Sequence, residues 1–193
     1  MLIIGHVGYT VGAAWAFETA TRRETSVDYR VVALMAMAPD IVDRTIFIFI
    51  LPAALEGRLV AHTLLCQLAL VLVMTLVRPR WWLYGAASGF HLILDSTRLS
   101  TAWVKHLLWP LMGSGWRVVN ILPGSGEMTA AYHIWVWQRF QKGFQPYGSG
   151  LWWVWLLEIG GALILMAFAH RNALYKLPRL RRFLASGDLG RAA

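Results

Sequence analysis

The sequence predicts an all-α, polytopic membrane protein of about five transmembrane helices, with short re-entrant or interfacial helices between them. Three observations predict it. First, 58% of the 193 residues are hydrophobic, 15% are charged, and the mean hydropathy is +0.51, whereas an ordinary soluble domain has a charged fraction nearer a quarter. Second, the nineteen residues Leu59 to Val77 carry no formal charge and are bracketed by Arg58 and by Arg78-Pro79-Arg80, a length that spans a bilayer. Third, Leu151 to Ala169 carries only Glu158 and ends at His170-Arg171, before a basic tail.

In chain order, Leu2 to Phe17 reads as an apolar helix rich in Gly5, Gly8, Gly12 and alanines, small residues that permit close helix packing in a membrane. His6 interrupts its apolar run. Ala14-Trp15-Ala16 could pass for a signal-peptidase site, but no basic segment precedes it, so this helix is expected to stay. Thr19 to Arg30 is a charged loop. A second helix starts at Val31, and Pro39-Asp40-Ile41-Val42-Asp43-Arg44 is expected to break it, because a proline removes a backbone donor and crowds the preceding turn. Ile46 to Leu55, ten apolar residues, is too short to span and reads as re-entrant or interfacial. Leu59 to Val77 follows, with His62 near its start.

Trp81 to Leu94, fourteen residues, covers only about 21 Å as a helix and spans where its ends extend or the bilayer thins. Thr101 to Met112 is amphipathic, with Lys105 and His106 among tryptophans. The aromatic, glycine-rich segment 113–150 holds one expected helix, Met128 to Phe140. The last span covers about 151–170, and 171–193 is the basic tail. We treat the chain as one membrane domain, with residues 1–112 as the metal-site core. No internal repeat is evident.

The formal charge is +8, but the basic residues are scattered over short loops and the tail and form no aromatic-interleaved patch, which argues against nucleic acid. Anionic lipid headgroups and the positive-inside rule fit better. Placing Thr19 to Arg30, Arg78 to Arg80 and the tail on one side collects eleven of the eighteen Lys and Arg residues. That side is expected to be cytoplasmic, with the C-terminus. The lone Cys66 permits no intrachain disulfide and is expected to pack.

Under this topology His6, Asp40, Asp43, His62, His91 and Asp95 fall at one depth, near the extracytoplasmic ends of their helices. His91 and Asp95 are four residues apart, so a helix stacks them on one face. Buried imidazoles and carboxylates need a partner or a metal. Three histidines and three aspartates suit zinc or another divalent transition metal, and such a site activates water and polarises a phosphoryl oxygen. Local pairing, such as Asp43 with Arg44 or Asp95 with Arg98, is the competing account of each residue taken singly.

The ordered set His6, then Ala38-Pro39-Asp40-Ile41-Val42-Asp43, Arg58-Leu59-Val60-Ala61-His62-Thr63-Leu64-Leu65, Gly89-Phe90-His91-Leu92-Ile93-Leu94-Asp95 and Leu108-Trp109-Pro110-Leu111 resembles the YdjM-like membrane-bound metal-dependent hydrolase family over residues 1–112. The resemblance implies a multi-pass protein of the bacterial inner membrane with a metal-hydrolase site. A more distant similarity to zinc-dependent phospholipase C and its related nucleases implies phosphoester bonds. The chain departs from the family pattern at Gly57, where many members have histidine, at Ala61 and Thr63 around His62, and at Asp43, which stands three after Asp40 in place of two.

The expected metal ligands are therefore His6, Asp40, His62, His91 and Asp95, with Asp43 as a further ligand or general base. Arg58 would orient a phosphoester, and a lipid is the natural substrate for a site at headgroup depth. Glu158, an intramembrane carboxylate, is a candidate ligand or base or else a hydrogen-bonded structural group. Glu127 and His133 could reach over the site. Transport of a metal or proton would call for inverted internal symmetry, which the sequence lacks. A non-catalytic role as an assembly partner is the other alternative.

Overall fold

The computed structural model describes residues 3–21, 27–49, 59–95, 104, 107–111, 152–187 and 189. Among them are six α-helices and no strand: α1 (Ile3–Thr21), α2 (Tyr29–Phe49), α3 (Leu64–Val77), α4 (Trp82–Asp95), α5 (Trp152–Arg171) and α6 (Leu177–Ser186). Short 3₁₀ turns, Val60–His62 and Pro79–Trp81, precede α3 and α4. Thus the described part of the chain is all-helical. α5 is the one described helix both long and apolar enough to cross a membrane, and α3 is apolar but fourteen residues long. α1 carries Glu18, and α2 carries Arg30, Asp40, Asp43 and Arg44, which dilutes their apolar character.

α1, α2 and α4 pack against one another, α5 lies on α1, and α3 lies on α4. The glycines of α1 dictate the α1–α5 contact. A Cβ on Gly8 would run into the Gly161 backbone, and one on Gly161 would meet the Gly5 Cα at 2.7 Å, so the two backbones touch where only hydrogen fits. The opposite face of α1 buries His6, Thr10, Val11, Ala14 and Glu18.

Helix ends follow local chemistry. Asp28 caps α2: its Oδ1 accepts from Arg30 N at 2.9 Å while its carbonyl accepts from Val32 N at 3.1 Å, satisfying first-turn donors. Arg30 returns to the same carboxylate through Nε at 3.0 Å and Nη2 at 2.6 Å. The hydrogen bond from Arg30 holds the Asp28 carboxyl below the usual carboxylate range. Thr63 caps α3 by accepting from Cys66 N at 3.2 Å, and Gly187, at φ 74°, closes α6 in the left-handed conformation, which glycine adopts without steric cost.

Pro39 does not break α2, contrary to the sequence expectation. The helix runs through it to Phe49, taking in Ile46 to Phe49, which the sequence suggests as part of a separate element. Pro39 is fully buried, so packing against the neighbouring helices holds the α2 backbone together across the missing hydrogen bond. The span expected from Leu59 starts as a helix only at Leu64, for a reason that belongs to the site. Residues 50–58, 105, 106 and 112–151, with the expected helix Met128 to Phe140, lie outside the described residues.

Candidate metal centre

One end of the bundle gathers His6 from the first turns of α1, Asp40 and Asp43 from α2, His62 from the turn before α3, and His91 and Asp95 from the end of α4. His91 is fully buried, and His6, His62 and Asp95 are nearly so. Asp40 is 28% exposed, giving the cluster its contact with the outside.

The two central imidazoles are held from behind. His91 donates its Nδ1–H to the Ala36 carbonyl at 2.8 Å, and since a carbonyl only accepts, that bond fixes the tautomer and leaves Nε2 with its lone pair. His62 likewise donates Nδ1–H to Asp43 Oδ2 at 2.6 Å. Both Nε2 atoms are buried and make no hydrogen bond, a costly arrangement for a polar atom unless something else binds there.

What they face is carboxylate. His62 Nε2 lies 3.4 Å from Asp40 Oδ1 and 4.0 Å from Asp95 Oδ2, and His91 Nε2 lies 3.8 Å and 4.0 Å from the same two atoms. A tetrahedral ion with ligand bonds of about 2.0–2.1 Å needs ligand atoms about 3.3–3.4 Å apart. The shortest observed separation matches that edge, and the others exceed it by about 0.4–0.7 Å. His6 Nε2 contacts the other oxygen of Asp95 at 3.1 Å, and its ring stacks on His91 with centroids 4.2 Å apart. The ligand atoms form two overlapping groups, His6–His91–Asp95 and Asp40–His62–His91, each within 4.8 Å. His91 has one nitrogen to offer, so the two groups are naturally parts of one centre.

The structure thus brings together the five expected ligands. Asp43 takes a different place from that expected. It is fully buried behind His62, and besides the imidazole it accepts from Leu59 N at 2.6 Å, Ala61 N at 2.8 Å and His62 N at 3.2 Å. Its two oxygens accept four hydrogen bonds in all, an arrangement that suits a carboxylate orienting His62. The same bonds hold residues 59–62 in a path that ends in the 3₁₀ turn Val60–His62, which is why α3 starts after His62. Gln67 adds to this by donating Nε2–H to the Ala61 carbonyl at 2.6 Å. As the one amide in an otherwise apolar segment, five residues after His62, Gln67 is a signal the sequence reading passed over. Thr10 and Ser88, one turn inward from His6 and His91, are buried hydroxyls without a hydrogen-bond partner.

Glu158 does not join the cluster. It is buried, and its Oε2 accepts from Gly5 N at 2.8 Å, capping the first turn of α1 from α5. Arg58, Arg98, His106, Glu127 and His133 lie outside the described residues. His170 is exposed and stacks on Tyr175. Comparison with known proteins found no matching family model, no matching curated protein and no matching solved structure.

Proposed function

We propose that this chain is a membrane-bound, metal-dependent hydrolase acting on a phosphoester, with a lipid as the natural substrate. The observation that carries the reading is the pair of buried, tautomer-locked imidazole nitrogens of His62 and His91, without hydrogen bonds, facing Asp40 and Asp95 at 3.4–4.0 Å. His6, Asp40, His62, His91 and Asp95 hold a divalent ion, for which this nitrogen and oxygen donor set favours zinc. An ion bound there supplies Lewis-acid polarisation of a phosphoryl oxygen and lowers the pKa of water. Asp43 and the Ala36 carbonyl hold the imidazoles in register, and such outer partners tune affinity. Asp40, the most exposed of the five, stands where substrate enters, and Arg58 is the candidate to engage its phosphate.

The membrane placement draws on the outer helices. α5 has the length and hydropathy of a span, and the outward faces of α3 (Leu65, Leu68, Leu72, Leu76) and α5 (Trp152, Leu156, Ile159, Leu163) are about half or more exposed. Continuous apolar stripes of that kind mark a membrane or a partner. We read the chain as multi-pass, in a bacterial inner membrane as the YdjM-like resemblance implies, with the metal end outside and the basic end with the C-terminus in the cytoplasm.

The test is hydrolysis of phosphomonoester, phosphodiester and phospholipid substrates by purified protein in neutral detergent. The expected result is an activity removed by chelator, restored by zinc, and abolished in His91→Ala and Asp95→Asn. Activity that persists in both variants would contradict the assignment.

A further inference from the structure

The end of the bundle opposite the metal centre carries a second feature that the hydrolase reading does not use. Arg78, Pro79 and Arg80 join α3 to α4, and beside them is a cleft of about 400 Å³ lined by Val27, Arg78, Arg80, Trp81, Leu83 and Tyr84. Both arginines are exposed, and neither forms an ion pair within the described residues. The nearby carboxylates are committed elsewhere: Asp28 to Arg30, and buried Glu18 to the Tyr29 hydroxyl, which donates to it at 2.6 Å. The Arg78 guanidinium lies 5.3 Å over the Trp81 ring, a cation–π contact that fixes its direction. Tyr84 accepts from Asp28 N at 3.0 Å and keeps its hydroxyl proton to donate.

Two guanidiniums and a phenol around one cleft match the oxygens of a phosphate. The surroundings decide which phosphate. The exposed stripe Leu65, Leu68, Leu72 and Leu76 runs down α3 and ends beside Arg78, a surface that a free anion has no use for and an acyl chain covers. We propose that the Arg78–Arg80–Trp81 cleft binds the phosphate of an anionic phospholipid, with an acyl chain along α3. Basic clefts at the cytoplasmic ends of membrane helices bind such headgroups. This inference shares the membrane placement of the reading above and nothing of its chemistry.

The test uses the full chain in nanodiscs of equal phosphatidylcholine and phosphatidylglycerol, with co-released lipids counted by native mass spectrometry. The wild type is expected to retain phosphatidylglycerol about tenfold over phosphatidylcholine. Arg78→Gln/Arg80→Gln should lose the preference, Arg78→Lys/Arg80→Lys should keep part of it, and Arg179→Gln/Arg181→Gln should keep it whole. Equal retention of both lipids by the wild type, or an unchanged preference in the glutamine variant, overturns the site. Loss of the preference on adding inorganic phosphate would assign the cleft to a free anion and overturn the lipid. His91→Ala should leave the preference intact, so this site and the metal centre fail separately. A chain recovered from cells in the aqueous fraction without detergent would overturn the membrane placement and this site together.

Discussion

His62 and His91 present the same problem twice, a buried ring nitrogen fixed by a bond on its other side, and each solves the tautomer question with a different acceptor. Asp43, with three backbone N–H groups and an imidazole on its two oxygens, ties the position of His62 to the fold of residues 59–62. Asp43→Asn keeps an acceptor oxygen but alters the pairing with Nδ1–H, so zinc affinity should fall about 10–100-fold, measured by competition with a chromogenic chelator. Unchanged affinity would remove Asp43 from the metal centre. The His91–Asp95 pair was legible from a spacing of four on one helix. The orienting role of Asp43 was not, because nothing in the sequence says that residue 59 folds back onto residue 43. Asp28 gives a separate prediction. Its folded-state carboxyl titrates below its unfolded value, so its stabilisation is full above about pH 4 and is lost as pH falls through the lowered folded value. Asp28→Ala should cost about 1 kcal/mol at neutral pH, and the gap to wild type in thermal unfolding should close as the buffer is acidified below that point.

Between helices, the closest approach is set by hydrogen atoms. Gly8 and Gly161 bring α1 and α5 into backbone contact, which positions His6 through α1 and lets Glu158 reach Gly5 N. Gly8→Ala forces the pair apart and should cost about 1–3 kcal/mol. Gly89→Ala is the internal control, because its Cβ would meet only the Gln67 Cβ at 4.0 Å, and removing a glycine from a helix interior gains about 0.5–1 kcal/mol. Thermal unfolding in detergent should therefore move in opposite directions for the two. Equal shifts would mean that the α1–α5 contact is not close-packed. The small residues of the first helix were readable as a packing face, but their partner was not, since Gly161 lies about 150 residues away in a segment whose apolar pattern looks alike on every side. Pro39 misled for a related reason: the rule that proline ends a helix is local, while the burial that carries α2 through it is tertiary.

At the scale of the molecule, the two ends differ in charge and chemistry. Histidines and aspartates gather at one, while Arg30, Arg78, Arg80, Arg171 and the arginines of α6 gather at the other. Composition made the helical class legible, and the alternation of helix direction made it legible that six polar residues gather at one end of the bundle. What composition overstated is the apolar character of individual helices: α1, α2 and α4 bury polar side chains against one another and leave α3 and α5 to present apolar surface. A fluorescent protein fused after Ala193 should fold and fluoresce, and alkaline phosphatase fused there should be inactive, if the basic end is cytoplasmic. The reverse pattern would invert the orientation.

The hydrolase reading turns on an ion between His62, His91, Asp40 and Asp95. Elemental analysis of the purified full-length protein beside His62→Ala and His91→Ala, with helical content checked by circular dichroism, is the most direct test. The account predicts stoichiometric zinc or another divalent transition metal in the wild type and its loss from both folded variants. A wild-type chain that remains metal-free after incubation with zinc, or variants that retain the full complement, would contradict it.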